Sequence, residues 1–315
     1  MQNTTIQKSE SMELKGPKVK DYIEKFIVKP GKKVNLTDYE AGWVQNEKMK
    51  DLGEERSKDL LFEMLEKDRA ALAAVQDVLW SSREYAVLIV LQGMDTAGKD
   101  GTIRHVMSGV NPQGCSVHGF KVPSAEEHNH DFLWRYSKVL PQRGEIGIFN
   151  RSYYEDVLVT KVHQNILSDL PKKIGTENDG FWEGRYKDIN TFEKHLIRNG
   201  TLILKFFLHI SKDEQKRRLL YRLEHKEKYW KFSVADLVER QFWDKYTKVY
   251  EDMLEATSTE IAPWFVIPGD YKWVARTAVA EAIVTAIKGL KLSYPTVSEE
   301  EVKRLIEAKK KLEDE

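Results

Sequence analysis

The chain has 315 residues, of which 41% are hydrophobic, and its 50 lysine and arginine residues balance its 50 aspartate and glutamate residues. The length suits one large domain or two smaller ones, and the apolar content excludes a chain that is disordered throughout. Because the positive and negative charges cancel, no global electrostatic field attracts a polyanion, and such a partner would have to meet a local basic patch.

The N-terminal region shows no regular pattern. Residues 1–14 are polar and predict a disordered tail without the apolar segment of a signal peptide, and residues 15–55 predict an arm wrapped around the domain. The longest unbroken apolar run, 86–91, is far shorter than the roughly 20 residues needed to cross a bilayer. Cys115 is the only cysteine, so an intrachain disulfide is impossible. We therefore expect a soluble protein of the reducing cytoplasm, without a membrane partner.

The following segments alternate between helical and extended patterns. An amphipathic helix is predicted at 54–81, and a strand buried on both faces at 85–93. Further strands are predicted at 145–150, 201–210 and 263–268, and helices around 126–139, 151–167, 187–199, 212–228, 233–257 and 271–289. This alternation indicates an α/β fold with a mainly parallel sheet. We expect one domain over 15–295, followed by a peripheral helix within 296–315 that begins after an N-cap Ser298.

The turn after the first strand has the G-x-x-x-x-G-K pattern of a phosphate-binding loop, GMDTAGK at 93–99. Such a loop directs backbone N–H groups and a helix N-terminus at a phosphate, and Lys99 can bridge the terminal phosphates. The serine or threonine that usually follows the lysine and holds Mg²⁺ is Asp100 here. The predicted phosphate-binding residues of the loop are Gly93, Thr96, Ala97, Gly98, Lys99 and Asp100.

Asp95 lies inside this loop, where a carboxylate beside phosphates is unfavourable unless a cation lies between them. Mg²⁺ in proteins is usually held by one or two carboxylates together with phosphates. We therefore predict that Asp95 is a Mg²⁺ ligand, directly or through water. The alternative interpretation is that Asp95 caps the following helix.

The second candidate strand ends in Asn150, which Arg151, Glu155 and Asp156 follow. In phosphate-loop enzymes this strand end carries an Asp that helps to hold Mg²⁺. Asn150 lowers the negative charge at that place, which favours a wider range of phosphate acceptors. Arg151 can form a bidentate contact with phosphate oxygens, or can instead pair with the two carboxylates that follow it.

The helix predicted at 212–228 is acidic in its first turn and basic afterwards. Cations at four-residue steps on one face of a helix repel one another, which destabilises the helix by roughly 0.2–0.5 kcal/mol per pair. A bound anion would relieve this repulsion. We predict a lid, about 212–232, whose arginines stabilise the charge of the transferring phosphates. The alternative is a solvated helix whose cations pair with Glu214 and Glu224. The basic residues are Arg217, Arg218, Arg222, Lys226, Lys228 and Lys231.

The segment between the first two candidate strands contains Lys121 and Arg135, close to several aromatic residues. Related folds bind the acceptor nucleotide in this segment, so both cations are candidate contacts for its phosphate, whereas the aromatic residues are more typical of a core. The histidines in the segment lack helical metal-ligand spacing. No recognised nucleic-acid-binding module or strongly basic domain is present, and we expect no nucleic-acid partner.

In chain order, the segments GMDTAGKDG, NPQG, FKVPS, IFNRSYYEDVLV, LHISKDEQKRRLLYR, WKFS and APWFVIPGDYKW make the chain resemble the second family of polyphosphate kinases. Those enzymes are polyphosphate:nucleotide phosphotransferases related in fold to thymidylate kinase. The resemblance runs from about residue 30 to residue 290 and implies a three-layer α/β/α domain with a helical lid. It also implies a reversible, Mg²⁺-dependent reaction, with Mn²⁺ as an alternative ion, in which inorganic polyphosphate phosphorylates a nucleoside phosphate. Members assemble as dimers or tetramers, so the resemblance implies a homo-oligomer.

The resemblance also assigns residues. Asp95 and Lys99 match the family's loop residues, Arg151 matches the Arg after the second strand, and the lid arginines match basic lid positions. Asn150 replaces the Asp of many members, as in the subgroup called class III, whose members accept nucleoside mono- and diphosphates. It implies the conversion of AMP through ADP to ATP, and it argues against a metal site with two carboxylates. The implied nucleotide-binding residues are Lys121, Arg135, Asn150, Arg151 and Glu155.

Two other functions share some of these features. A nucleoside monophosphate kinase with ATP as its donor would have the same loop, but it gives less reason for a carboxylate inside the loop and for so basic a lid. A nucleotide-binding scaffold without activity is disfavoured by the presence of Lys99 and Arg151.

Overall fold

The structure, a computed structural model, describes residues 21–169 and 180–315. The tail predicted at 1–14 and the start of the predicted arm lie outside the described residues. In the described part, five parallel strands form a sheet in the order β2-β3-β1-β4-β5. The strands are β1 (Ala86–Gln92), β2 (Cys115–Gly119), β3 (Ile146–Asn150), β4 (Thr201–His209) and β5 (Trp264–Pro268). The predicted α/β fold with a parallel sheet is thus confirmed.

The first strand of the chain, β1, occupies the centre of the sheet. All its residues are buried, as its continuous apolar sequence predicts for a strand covered on both faces. It pairs with β3 on one side, where Leu91 lies opposite Asn150, and with β4 on the other, where Gln92 lies opposite Phe207. The carboxyl ends of β1, β3 and β4 therefore meet at one edge, where parallel sheets bind their ligands.

Strand β2 was not predicted from the sequence. Its residues, CSVHG, are only partly buried or exposed because the strand lies at the edge of the sheet. A short edge strand with polar residues lacks the apolar run that marks the buried strands.

Most of the helices fall within the predicted segments. Helices α3, α4 and α12 pack with one another, as do α7, α8 and α11, which gives a layer on each face of the sheet. The helices are α1 (Asp21–Glu24), α2 (Glu47–Leu52), α3 (Glu54–Ser82), α4 (Lys99–Val106), α5 (Ala125–His128), α6 (Trp134–Ser137), α7 (Glu155–Val162), α8 (Phe181–Arg198), α9 (Lys212–Glu224), α10 (Val234–Gln241), α11 (Trp243–Thr257), α12 (Lys272–Gly289) and α13 (Glu299–Glu313). Among the described helices, none has both the length and the apolar character that crossing a membrane requires.

Four long helices predicted from the sequence are shorter or divided. The segment 151–167 forms the shorter helix α7, after which a 3-10 helix, Gln164–Asp169, follows. The segment 126–139 forms the two short helices α5 and α6, because a capping box of Ser124 and Glu127 starts α5 and the Asp131 side chain accepts a hydrogen bond from the Leu133 amide ahead of α6. The segment 233–257 divides at Phe242 into α10 and α11. The basic helix α9 ends at Glu224, and a 3-10 helix, Lys226–Lys231, continues the chain.

The described part of the N-terminal arm covers the outer edge of β5. The Val28 amide donates to the Trp264 carbonyl at 2.9 Å, and the Val266 amide donates to the Phe26 carbonyl at 2.8 Å. The side chain of Glu251 on α11 accepts a hydrogen bond from the Leu36 amide at 2.9 Å. The arm thus satisfies backbone groups that an open sheet edge would leave unpaired.

Candidate active site

The phosphate-binding loop connects β1 to α4. Two constraints on its backbone, at Gly93 and Thr96, fix its shape. A Cβ atom at Gly93 would lie 2.9 Å from the Leu208 carbonyl oxygen, so only glycine fits there without displacing β4. Thr96 adopts a φ of 66°, which is unusual for a β-branched residue. Such a conformation costs on the order of 1–3 kcal/mol and is characteristic of functional sites. The loop is therefore held in its shape by the surrounding structure.

The Lys99 ammonium lies inside this loop. Its side chain is buried, with 8% of the residue exposed, and its Nζ donates to the carbonyl oxygens of Gly93 at 2.6 Å and Met94 at 3.4 Å. Burial lowers the pKa of Lys99, and the charge of Arg151 lowers it further, whereas nearby carboxylates oppose the shift. A buried cation surrounded by loop carbonyls is placed to meet a phosphate that enters the loop.

Asp95 and Arg151 form an ion pair between the loop and the end of β3. The Arg151 Nη2 atom donates to Asp95 Oδ1 at 3.1 Å, and both side chains remain partly exposed. Arg151 has a φ of 64°, and its amide donates to the Leu91 carbonyl at 3.0 Å, which turns the chain out of the sheet toward the loop. The predicted neighbours Asp95, Lys99 and Arg151 are thus brought together.

Asn150 and Asp100 form a second contact between the same elements. The Asn150 amide nitrogen donates to Asp100 Oδ1 at 2.6 Å. These are the two positions at which phosphate-loop enzymes usually carry a hydroxyl and a carboxylate for Mg²⁺. The carboxylate and the neutral group have exchanged places in this chain. Asp100, predicted as a phosphate contact, here accepts a hydrogen bond from Asn150.

Arg218, predicted to bind polyphosphate, instead fastens the loop to the protein. It is buried, with 7% of the residue exposed. Its N–H groups donate to Glu214, to the carbonyls of Thr96 and Ala97 in the loop, and to those of Gly269 and Asp270 after β5. Because all five donors of a guanidinium are engaged, none is left for a phosphate, and we correct its role to positioning the loop.

The other basic residues predicted for the lid are more exposed. Arg217 donates two hydrogen bonds of 2.6 Å to Glu214 and keeps 64% of its side chain exposed. Arg222 donates to the Lys231 carbonyl at 2.9 Å and contacts Asp236 at 3.3 Å. The pair of Arg217 with Glu214 belongs to the alternative stated for the basic helix, whereas the partner of Arg222 is Asp236 on α10. Lys231 is exposed and lies over the Trp230 ring.

A cleft of about 1850 Å³ opens next to the loop and is lined by Asp95, Arg151 and Glu155, together with aromatic residues from several helices. Lys121 and Arg135 lie on its wall. Arg135 donates to the Lys121 carbonyl at 3.0 Å and lies 5.3 Å from the centroid of the Phe120 ring. Desolvation raises the pKa of Glu155, and the charges of Arg151 and Lys99 oppose that shift.

Three residues of the site were not predicted. Gln215 of α9 donates to the Asp95 carbonyl at 3.1 Å, and Arg240 of α10 donates to the Gln215 side chain at 2.9 Å. The pKa of Asp236 is raised by burial and by the charge of Asp95, which it faces across the cleft. The sequence signal for these residues is weak because α9 and α10 are far from the loop along the chain and approach it only in the folded protein.

Comparisons with known proteins place the chain in a family. A sequence model described as polyphosphate kinase 2 matches residues 55–294, most of the chain. The chain belongs to the polyphosphate kinase 2 family. It is 50% identical over 258 residues to a protein of Rhodopseudomonas palustris called ADP-polyphosphate phosphotransferase, covering 81% of this chain and 89% of that one. It is 45% identical over 241 residues to the AMP/ADP-polyphosphate phosphotransferase of Meiothermus ruber, covering 76% and 86%.

Solved structures agree with this membership. The crystal structure of a polyphosphate kinase 2 from Arthrobacter aurescens matches with a TM-score of 0.79 and 38% identity, covering 92% of this chain and 98% of that one. The chain therefore has the phosphate-loop kinase fold of this family and is a phosphotransferase. Polyphosphate kinase 2 enzymes generally need a divalent metal ion.

The loop residues fit such an ion. The Thr96 hydroxyl is buried without a hydrogen-bond partner, and the loop and the first turn of α4 also contribute the carboxylates of Asp95 and Asp100. In the described part of the chain, no three His, Cys, Asp or Glu side chains converge on one point. A few oxygen ligands, completed by substrate phosphates, suit a hard cation such as Mg²⁺.

Proposed function

We propose that this polyphosphate kinase 2 family member transfers the terminal phosphoryl group of inorganic polyphosphate to nucleoside mono- and diphosphates. The observation that carries the proposal is the cluster of Asp95, Lys99 and Arg151 around the loop, beside a cleft of about 1850 Å³. A site for one small molecule usually occupies about 300–1,000 Å³, so this cleft has room for a nucleotide and part of a polyanion. The relatives named above act on polyphosphate with AMP or ADP.

The protein contributes position and charge to this reaction. Loop amides and Lys99 hold the terminal phosphoryl group, and Arg151 neutralises charge that develops on its oxygens. An oxygen of the acceptor phosphate attacks the terminal phosphorus in line with the bridging oxygen. One P–O bond forms as the other breaks, and the shortened polyphosphate leaves with the electron pair. Mg²⁺ held by Asp95, or Mn²⁺ in its place, would neutralise phosphate charge.

The acceptor range follows from the end of β3. Asn150 is neutral where many members of the family carry an Asp, which supports an acceptor range that includes both a monophosphate and a diphosphate. Lys121 and Arg135 lie on the cleft wall, which supports their role as contacts for the acceptor phosphate. The conversion of AMP to ADP and then to ATP is therefore the proposed sequence of reactions. A cytoplasmic location, a dimeric or tetrameric assembly and a lid at about 212–232 remain predictions from the sequence and the family resemblance.

The proposal is tested by supplying the purified protein with polyphosphate as the only phosphoryl donor. AMP, ADP, GMP and GDP are incubated separately with polyphosphate and Mg²⁺, and the products are separated by anion-exchange chromatography. We expect ADP and ATP from AMP, and ATP from ADP. Activity with ATP and AMP, but none with polyphosphate, would contradict the proposal and favour a nucleoside monophosphate kinase.

A further inference from the structure

A buried ion pair connects the central sheet to α8. Lys205 lies in the middle of β4, opposite Val90 of β1 and Trp264 of β5, and is fully buried. Its Nζ atom donates to Glu193 Oε2 of α8 at 2.7 Å, and Glu193 is buried as well. Lysine and glutamate are almost never fully buried unless they are paired.

The Lys205 ammonium uses each of its three donors inside the protein. Besides the bond to Glu193, it donates to the Thr257 carbonyl at 2.7 Å and to the Tyr154 hydroxyl at 3.1 Å. Burial lowers the pKa of Lys205, and the charge of Glu193 opposes that shift. Because an apolar pair of similar volume is often as stable as a buried ion pair, stability alone is a weak reason for this one.

The ion pair also holds two consecutive tyrosines. The hydroxyls of Tyr153 and Tyr154 donate to Glu193 Oε1 at 2.8 Å and 2.7 Å. Burial raises the pKa of both tyrosines well above the ordinary value, and the charge of Glu193 raises it further. Both hydroxyls therefore remain donors at neutral pH, and one carboxylate fixes two neighbouring side chains.

The two tyrosines belong to the segment that carries Arg151 and Glu155 into the cleft. Arg151 and Glu155 line the cleft, whereas the tyrosines between them are not among the described residues that line it. Arg151 has a φ of 64°, and the Glu155 amide donates to the Ser152 carbonyl at 2.9 Å, which closes a turn. A backbone conformation of this kind persists only where the surrounding structure holds it.

We propose that Glu193 is a positioning residue for phosphoryl transfer and acts through the two tyrosines on Arg151. This inference rests on the proposed function. Lys205 neutralises the carboxylate and holds it in place, the carboxylate holds both hydroxyls, and the segment 151–155 thereby keeps the Arg151 guanidinium beside the phosphate-binding loop. Because Arg151 acts on charge that develops in the transition state, its displacement lowers kcat rather than raising KM.

The test removes the connection between the ion pair and the segment 151–155. The double variant Tyr153→Phe with Tyr154→Phe lacks both hydroxyls but keeps both rings and the ion pair. A second double variant, Glu193→Leu with Lys205→Met, removes the acceptor without leaving an unpaired buried lysine. The control is Ile189→Ala, which weakens the packing of a buried residue of α8 one turn before Glu193 and leaves the network intact.

ATP formation from ADP and polyphosphate is measured for each variant, with and without Arg151→Ala. Both double variants should lose about tenfold in kcat, with KM for ADP and polyphosphate within about twofold of the wild type. In Arg151→Ala protein, the same changes should lower kcat by less than about twofold, because the residue through which they act is absent. Ile189→Ala should lower the melting temperature but not kcat.

An unchanged kcat in the folded tyrosine variant would overturn the inference. So would an equal loss of kcat with and without Arg151, since a general weakening of the fold does not depend on that side chain.

Hydrogen exchange supplies a measurement that does not depend on activity. Without substrates, the backbone amides of residues 148–158 should exchange about tenfold faster in the tyrosine variant than in the wild type, because the segment is held less firmly. Ile189→Ala should leave their exchange unchanged. Unchanged exchange in the tyrosine variant would overturn this inference alone, whereas a wild-type protein without polyphosphate-dependent turnover would overturn the proposed function.

Discussion

The Glu155 carboxylate is desolvated and lies near the positive charges of Arg151 and Lys99. Desolvation raises its pKa, and the two cations only partly oppose the shift. A carboxyl group with a raised folded-state pKa stabilises the fold while it is protonated. That contribution is complete below the unfolded-state pKa of about 4.3, and it is lost as the pH rises through the folded-state pKa. Ionised Glu155 therefore lowers stability at neutral pH.

We accordingly expect Glu155→Gln to raise the melting temperature at neutral pH, because a neutral amide avoids the cost of burying the charge. The gain should shrink toward a pH of about 4, where the wild-type side chain is itself protonated. Thermal unfolding measured across this range checks the prediction, with the exposed Glu126→Gln as the control. A lower melting temperature for Glu155→Gln at neutral pH would show that its pairing with Arg151 outweighs desolvation.

The contact between Asn150 and Asp100 gives a second prediction at the scale of single residues. Asn150→Asp replaces a donor 2.6 Å from Asp100 Oδ1 with a second carboxylate. Losing this charge-assisted hydrogen bond and adding repulsion should lower polyphosphate-dependent turnover about tenfold or more. The double variant Asn150→Asp with Asp100→Asn restores a donor and an acceptor with exchanged roles. If turnover in the double variant is no higher than in Asn150→Asp alone, loss of the contact between residues 150 and 100 is not the cause of the lowered turnover.

At the scale of elements, Arg218 connects α9 to the phosphate-binding loop and to the segment after β5. Arg218→Ala removes one of the two arginine partners of buried Glu214 and the donor to four carbonyl groups, and we expect a loss of about 3–5 kcal/mol in the free energy of unfolding. Arg217→Ala also removes a partner of Glu214, but its side chain is 64% exposed, and exposed pairs contribute about 1 kcal/mol or less. Denaturant unfolding of both variants checks the difference. Equal losses would contradict a special role for Arg218.

The elements also show what a sequence can and cannot predict. The buried strands β1, β3, β4 and β5 were predicted within two residues because continuous apolar runs between turns are typical of parallel sheets. Edge strand β2 was missed because its residues are polar and partly exposed. The division of 126–139 into α5 and α6 depends on local side-chain caps, which interrupt a pattern that looked helical.

At the scale of the whole molecule, the sequence linked the loop with the end of β3, because both positions hold Mg²⁺ in phosphate-loop enzymes. It could not identify Gln215, which contacts Asp95 from 120 positions along the chain. Nor could it distinguish Arg218, which has no donor left for a phosphate, from the exposed Arg217 beside it. Burial and hydrogen-bond partners, which separate these adjacent arginines, exist only in the folded chain.

Phosphoryl transfer from polyphosphate through the loop is tested most directly by turnover of Lys99→Ala and Asp95→Asn with ADP, polyphosphate and Mg²⁺. Lys99 supplies the buried cation of the loop, and Asp95 its carboxylate. Both variants should fold as the wild type does by circular dichroism, and each should lose at least about 100-fold in ATP formation, the scale of a lost charge-stabilising group. Near-normal turnover in either folded variant would contradict the roles assigned to the loop.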